Sequence, residues 1–428
     1  MKIDINTQKR KQNMKIYSIY RGLSMDLLFI YAIDFLFLTQ VKNISASDVV
    51  LKSSFYALFM IILQIPANIL VDKIGTRKCT ILANIFNAIY LIIIMLAKNL
   101  GDLILAEFFS ALCFSIKDIS DTTLLNTSIP EGDKKGEIFS KIEGRGNKNY
   151  YYINAITSVL AGLLYTLNPY LPIISSLIIA VFSVALSMAF QEVENNDANK
   201  QKKEDSIKEY IIDLKKSFGF IIKSNRLRSL ILYTGILWGI YCLASTYRTS
   251  LLEDVGVSAI WISIITAIGG IASGIGSKKQ LEIHKIFRNK TLSMLAVTTT
   301  IMIWLTGLVG ASKLSTNTIM ICVTIFYVIM NTCKGSYGVL TTRYLSNFAD
   351  ETILPKIYSI SAISRNFFRM IVGFIGSYLL ALTDTANSTI LTGIIFTIVT
   401  LALISYMKTR TGLKPEEYKK EEIEFDIS

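Results

Sequence analysis

Long apolar segments alternate with short polar ones along nearly the whole chain. The apolar segments span about 16–40, 45–71, 79–97, 101–126, 149–167, 172–190, 228–250, 257–277, 291–311, 316–339, 356–382 and 387–407. Each has 18 or more residues, which is enough for a helix to cross about 30 Å of hydrocarbon. The pattern therefore predicts an all-α membrane protein with twelve transmembrane helices in two six-helix halves.

Basic residues concentrate in every second polar segment. They cluster in 9–15, 73–78, 134–148, 278–290 and 343–356, whereas the polar segments in between are nearly free of them. Cytoplasmic loops carry such an excess of Lys and Arg, so both termini are predicted to be cytoplasmic. The net charge of +12 resides in these loops, and we therefore exclude nucleic-acid binding. Charged residues make up only 18% of the chain, against about 25% in soluble domains.

A polar stretch divides the two groups of spans. Its first part, about 192–205, is charged and poor in large apolar residues, which is typical of a flexible linker. Its second part, 207–218, has apolar residues at helical spacing and predicts a surface helix. The expected organisation is a first half over 1–190, a linker over 191–227, a second half over 228–407 and a cytoplasmic tail over 408–428.

The turn between the second and third spans packs unusual chemistry into nine residues, Leu70–Lys78. Gly75 permits a sharp turn with positive φ. Asp72 can accept hydrogen bonds from the N-terminus of a neighbouring helix. Lys73 and Arg77 hold the turn on the cytoplasmic side. We predict that this turn is a cytoplasmic gate.

The same turn resembles the loop between helices 2 and 3 of the major facilitator superfamily, usually written G-x-L-a-D-r-x-G-r-k. The matching positions are Leu70, Asp72, Lys73, Gly75 and Arg77, whereas Asn68 and Thr76 depart from the pattern. The corresponding segment of the second half, 276–280, keeps the glycine and the cations but lacks the aspartate. The resemblance implies a bacterial transporter of this superfamily, of no assignable subfamily, whose first, fourth, seventh and tenth helices line a central cavity.

Ionisable residues inside the apolar segments indicate either function or structural ion pairs, because each costs about 2.5–3.5 kcal/mol at the membrane centre. Asp26 lies roughly 15 Å along the first span, near its middle, and Asp34 lies further along. Glu107 and Asp118 in the fourth span are three helical turns apart and share a face. The resemblance puts these four carboxylates in a plausible position for proton coupling or substrate binding, with Asp26 as the leading candidate. Lys117 and Asp121, at i and i+4, can instead satisfy each other.

Two arginines, Arg365 and Arg369, lie one turn apart in the eleventh span. They either anchor the Asp72 turn, as in the superfamily, or bind an anionic substrate. Anchoring suits Arg365 better, and substrate binding suits Arg369. Arg248 at the outer end of the seventh span is predicted to snorkel to the interface.

Aromatic and glycine clusters have simpler structural interpretations. Tyr150–Tyr152 is predicted to form an interfacial aromatic belt. Glycines at 269, 270, 274 and 276 are predicted to permit close helix packing.

No motif for enzyme chemistry accompanies these features. The five cysteines are scattered, His284 is the single histidine, and no phosphate-binding G-x-x-x-x-G-K-[ST] loop occurs. We therefore predict no cofactor, no metal and no enzymatic activity. The expected function is alternating-access transport of a small organic solute, with proton coupling and some preference for efflux of drug-like compounds. An uptake permease and a non-transporting membrane receptor are the alternatives. We expect a monomeric, multi-pass protein in the lipid bilayer of a bacterial plasma membrane.

Overall fold

A computed structural model describes residues 5–130, 132, 134–193, 218–219, 221–348 and 354–407. All regular elements in these ranges are helical. They are α1 (Ile5–Ser24), α2 (Ile30–Leu36, continued by a π-helical turn, Phe37–Val41), α3 (Ala46–Ile74), α4 (Thr76–Leu96), α5 (Leu100–Ser128), α6 (Lys135–Leu167), α7 (Leu171–Met188), α8 (Asn225–Asp254), α9 (Ala259–Phe287), α10 (Thr291–Gly310), α11 (Thr316–Phe348), α12 (Leu354–Leu382) and α13 (Thr385–Met407).

Each predicted apolar segment after the first coincides with one helix, from α3 to α13 in order. Eight of the helices in the described ranges are long and apolar enough to cross a membrane. The chain is therefore a multi-pass membrane protein. The count of twelve spans and the cytoplasmic side of both termini stay predictions.

The first apolar segment is not one helix, and the prediction of a continuous span over 16–40 is wrong. α1 ends at Ser24 and α2 begins at Ile30, with non-helical backbone between them. Phe29, just before α2, has φ 56°, a left-handed value that is rare for a bulky residue. Asp26 favours the break, because its carboxylate accepts the N–H of Leu27 at 2.7 Å and so takes that donor out of the helical ladder.

Two basic segments that were predicted as loops are largely helical. α6 begins at Lys135, so most of segment 134–148 forms its first turns. Phe139 and Ile142 from these turns pack against a buried cluster that includes Tyr17 and Leu125. Their burial gives the charged segment an apolar face, and that face stabilises the helix. α9 likewise continues to Phe287.

The chain divides into two compact units. Of the described residues, the first contains those within 1–44, 58–206 and 259–267, and the second contains those within 45–57, 207–258 and 268–428. In the first unit α4 packs along α5 and α7, and α1 packs along α6. In the second unit α8 packs along α12, and α10 packs along α11 and α13.

Much of the predicted linker and the whole predicted tail cannot be compared with the structure. Positions 194–217, 220 and 408–428, which include nearly all of the predicted surface helix, lie outside the described residues. The division into two six-helix halves stays a prediction.

Candidate functional site

The non-helical segment between α1 and α2, Met25–Phe29, carries a carboxylate. Oδ1 of Asp26 accepts the N–H of Leu27, and Oδ2 accepts the hydroxyl of Tyr150 in α6 at 3.2 Å. Asp26 is half-buried and Tyr150 is buried. The leading candidate carboxylate therefore lies at a break in the helix rather than on a continuous helix face.

Side chains of distant helices bind the backbone groups that the break releases. The Lys117 ammonium in α5 donates a hydrogen bond to the carbonyl of Ser24, the last residue of α1. The Ser176 hydroxyl in α7 donates to the carbonyl of Leu28 at 2.6 Å and accepts from the N–H of Ile30 at 3.2 Å. Broken helices persist at membrane depth where side chains replace the lost backbone bonds in this way. The break is therefore a built feature, held by α5, α6 and α7.

Lys117 is the cation of this site. It is only 3% exposed, and its ammonium lies 5.8 Å from the ring centroid of Tyr20 and 6.0 Å from that of Phe114. A cation at the C-terminal end of α1 is stabilised by the helix dipole and by the aromatic faces. Lys117 thus binds α1, and its predicted pairing with Asp121, one turn further along α5, stays a prediction.

Asp121 belongs to a second polar cluster, one turn of α5 further on. It is 1% exposed, accepts a hydrogen bond from the Tyr20 hydroxyl at 3.1 Å and lies 3.7 Å from Nη1 of Arg21. Arg21 also contacts Glu143 of α6 at 3.3 Å, and the Tyr17 hydroxyl donates to Glu143 at 2.6 Å. These ion pairs connect α1, α5 and α6, and they keep the buried charges of this cluster compensated.

The other predicted cavity carboxylates lie in different surroundings. Asp34 is half-buried in α2. Glu107 is buried in α5, 6% exposed, whereas Asp118 in the same helix is exposed. Glu107 and Asp118 share a helix face by spacing, but the packing around α5 covers one and leaves the other open. The expectation that they line one common cavity stays a prediction.

The turn between α3 and α4 has the predicted backbone conformation. Gly75 has φ 92°, a left-handed value that side-chain-bearing residues rarely adopt, so the turn favours glycine. Nη2 of Arg77 donates to the carbonyl of Met188, the last residue of α7, at 2.9 Å. An arginine at this position binds a carbonyl that the helix end leaves unsatisfied. Asp72 and Lys73 are exposed.

The two arginines of α12 have different environments in the second unit. Nη2 of Arg369 donates to the Ser53 hydroxyl at 2.9 Å, and its guanidinium lies 4.7 Å from the Tyr56 ring centroid. Arg369 thus holds the first part of α3 to α12. Arg365 is exposed and lies 5.9 Å from the ring centroid of Trp238 in α8. Its predicted anchoring of the Asp72 turn stays a prediction.

Sequence reasoning missed several residues of the described sites, among them Tyr150, Glu143 and Ser176. The prediction that Tyr150 belongs to an aromatic belt is wrong, because its hydroxyl binds Asp26. Its neighbours Tyr151 and Tyr152, each 63% exposed, keep the surface position expected of a belt. Glu143 falls in a segment interpreted as a basic loop, and Ser176 is one serine in an apolar helix. No local pattern distinguishes either residue, since Glu143 acquires its role by meeting α1 in space and Ser176 by meeting the break between α1 and α2.

Comparison with known proteins identifies the family. A family profile described as Major Facilitator Superfamily matches residues 21–337. Among proteins of curated function, no sequence matches.

Solved structures share the fold at low sequence identity. A point-mutant form of the nucleoside transporter NupG superposes with a TM-score of 0.70 at 10% identity, covering 93% of this chain and 99% of that chain. NupG without that mutation gives 0.68 at 11% identity, with 95% and 100% covered. A POT family transporter in complex with 5-aminolevulinic acid gives 0.64 at 14% identity, with 95% and 96% covered.

These similar structures are transporters, and the profile covers most of the chain, which confirms the expectation of a transporter rather than an enzyme. The chain belongs to the major facilitator superfamily of membrane transporters.

Proposed function

We propose that this chain is a proton-coupled secondary transporter of a small organic solute. The observation that carries the proposal is the helix break at Met25–Phe29, where Asp26 lies. In many transporters, substrate and coupling-ion sites are formed by discontinuous helices near the bilayer midplane. The break lies inside a predicted span, about half-way along it.

Asp26 is the coupling carboxylate in this proposal. When ionised, it accepts the N–H of Leu27 and the hydroxyl of Tyr150. Protonation turns one carboxyl oxygen into a donor while the other still accepts, so the partner of the protonated oxygen must rearrange. Binding a proton therefore changes the hydrogen bonds that define the non-helical segment, and this links protonation to the conformation of α1 and α2.

Lys117 and Ser176 are positioning residues for the break. They keep the end of α1 and the start of α2 in place by binding the carbonyls of Ser24 and Leu28. Asp34, Glu107 and Asp118 remain candidates for a second coupling or substrate group.

In this proposal, transport proceeds by alternating access between two halves of the chain. The halves 1–190 and 228–407 rock about a midplane site, connected by 191–227, while the turn with Asp72, Lys73, Gly75 and Arg77 gates the cytoplasmic side with Arg365. Twelve spans and cytoplasmic termini complete this arrangement, in a monomer in a bacterial plasma membrane.

For the direction of transport and the transported solute, the proposal names only broad classes. The fold is similar to that of nucleoside and peptide transporters, which supports a small organic solute as cargo. An aromatic content of 11% and the lack of nutrient-porter signatures favour efflux of drug-like compounds. Uptake is the second direction, and a receptor without transport is the alternative function.

The test measures proton movement in proteoliposomes that enclose a pH-sensitive dye, challenged with a panel of solutes. We expect at least one solute to change the internal pH with the wild type and not with Asp26→Asn. Asp48→Asn, in the first turn of α3, is the matched control and should transport normally. The sign of the pH change gives the direction. A signal that persists in Asp26→Asn would transfer the coupling role to Asp34, Glu107 or Asp118.

A further inference from the structure

A buried arginine lies in the second unit, outside the site described above. Arg248 in α8 is only 5% exposed, so its predicted snorkelling to the interface is wrong. Its guanidinium carbon lies 4.1 Å from the ring centroid of Tyr327 in α11, and Nη2 donates to the Thr249 hydroxyl at 2.7 Å. Stacking on an aromatic face and a hydrogen bond together hold the guanidinium plane in one orientation.

Arg248 lines a small internal cavity between α8, α10, α11 and α13. The cavity measures about 10 Å³, room for about one water molecule. The residues that line it with Arg248 are all uncharged and include Met302, Thr306, Phe326, Tyr327, Met330 and Thr389. Arg248 therefore provides the charge of this cavity.

The two threonine hydroxyls of the cavity wall are already committed as donors. Thr306 donates to the carbonyl of Met302 and Thr389 to that of Thr385, each at 2.7 Å. These bonds stay within their own helices. The guanidinium is thus the group best suited to donate hydrogen bonds to a ligand in the cavity.

The packing of α9 against α11 holds the Tyr327 ring next to the Arg248 guanidinium. A Cβ at Gly269 in α9 would lie 2.2 Å from Cε1 of Tyr327, so the ring occupies the space that a larger residue would fill. The stacked geometry of Arg248 is therefore built by three helices rather than by chance contact at a surface.

We propose that Arg248 binds the anionic group, a carboxylate or a phosphate, of the transported solute. The guanidinium is held in one orientation at the cavity wall, and its planar fork matches carboxylate and phosphate oxygens. At about 10 Å³ the cavity is smaller than such a solute, so its wall must move to admit one. Met302 and Met330 are flexible, so the wall can open to admit a solute. This inference rests on the proposed transport function and specifies its substrate class.

The experiment measures ligand binding to the purified full-length protein in a neutral detergent, by thermal stabilisation and titration. The probes are matched anionic and neutral pairs: benzoate and benzamide, succinate and succinamide, glucose 6-phosphate and glucose. The variants are Arg248→Met and Arg248→Lys. Arg228→Met is the matched control, since Arg228 belongs to the same helix and binds Tyr406, Ile222 and Asn225 outside the cavity.

We expect at least one anion to stabilise the wild type and Arg228→Met, and its neutral partner to have no effect. Loss of a charge-assisted pair should weaken that anion about 10- to 100-fold in Arg248→Met. Arg248→Lys keeps the charge without the planar fork, so it should bind the anion several-fold more weakly. If Arg248→Met does not fold, the comparison of Arg248→Lys with the wild type tests the proposal.

The proposal is overturned if no anion of the panel binds the wild type, or if the anion binds both Arg248 variants as tightly as the wild type. The two readouts separate this proposal from proton coupling, because anion binding tests Arg248 and the solute-driven pH change tests Asp26. Anion binding without any pH signal would leave Arg248 as a site and contradict proton coupling. A pH signal driven only by neutral solutes would support proton coupling and contradict anion binding at Arg248.

Discussion

Lys117 and Asp26 show how single charged residues are accommodated inside a predicted span. Lys117 donates to the last carbonyl of α1, and Asp26 accepts the N–H of Leu27 just beyond it. Each charge is thus placed against backbone groups that the helix break leaves open. The charged side chains compensate the backbone groups that the break exposes, and those backbone groups compensate the buried charges. Two features that are each unfavourable alone therefore stabilise each other.

Replacing Lys117 tests this interdependence. Lys117→Met keeps a similar length and loses the donor to the Ser24 carbonyl, so we expect it to destabilise the protein by about 1–3 kcal/mol. Lys117→Arg retains a charged donor and should be milder. Thermal unfolding in detergent measures both variants. If Lys117→Met unfolds at the wild-type temperature, the ammonium does not hold the break.

The burial of Tyr150 differs from that of the two tyrosines that follow it in the sequence. It stands in a run of three tyrosines, yet it is 7% exposed while the next two are each 63% exposed. Along a helix, consecutive residues point in directions about 100° apart, so a run of identical residues covers several faces. Which of the three faces the bundle depends on where α1 packs, and the local sequence does not contain that information.

At the scale of helices, α9 and α11 cross at two glycines. A Cβ on Gly335 would lie 1.9 Å from the carbonyl oxygen of Ser273, and one on Gly276 would lie 2.1 Å from that of Thr332. The Ser336 hydroxyl donates to the Gly276 carbonyl at 2.8 Å across the crossing. Small residues and hydroxyl bonds of this kind drive helix association in membranes.

Gly335→Ala and Gly338→Ala form a matched pair on α11. Gly335 faces backbone that must move, so its replacement should destabilise the protein by about 1–3 kcal/mol. A Cβ at Gly338 would have no neighbouring atom within 4 Å, so alanine there should be neutral or stabilising by up to about 1 kcal/mol. Thermal unfolding of the purified variants measures the difference. Equal unfolding temperatures would contradict the close crossing.

The glycines of α9 show where spacing arguments succeed at this scale. The sequence predicts close packing at 269, 270, 274 and 276. Gly269 and Gly276 do lie against neighbouring helices, whereas Gly270 and Gly274 face open space. A glycine-rich helix predicts that some face packs closely, and the neighbouring helices decide which face.

At the scale of the whole molecule, the turn between α3 and α4 combines conformational and electrostatic constraints. Gly75 has a left-handed backbone and Arg77 binds the end of α7. Asp72 is exposed in the same turn. A turn held to a neighbouring helix while presenting a charge suits a gate, which must form and break contacts in each transport cycle.

Asp72→Asn tests the gate without changing the size of the side chain. If the charge couples the turn to the conformational change, a coupling energy of about 1–3 kcal/mol predicts a transport rate reduced roughly 5- to 150-fold. Initial rates of the solute-driven pH change in proteoliposomes measure it. Asp102→Asn, in the first turn of α5 beyond the opposite end of α4, is the control and should be nearly silent. Unchanged rates in Asp72→Asn would refute the gate hypothesis.

The sequence by itself determined where most of the helices lie and which family the chain belongs to. Eleven predicted apolar segments coincide with helices, because a long apolar segment satisfies its own backbone groups by forming a helix. Gly75 was also predictable, since a sharp turn between two spans demands its positive φ. These properties are local, and a local pattern carries them.

Only the tertiary structure decided how the charged residues are used. The break at Met25–Phe29 interrupts a segment whose composition predicts one continuous helix. It persists because Lys117, Tyr150 and Ser176, more than 90 residues away along the chain, bind the groups it exposes. Arg248 likewise lies near the end of its helix, yet the ring of Tyr327 and the surrounding helices bury it. Such roles depend on which side chains meet in space, because a buried charge is stable only where its partners arrive.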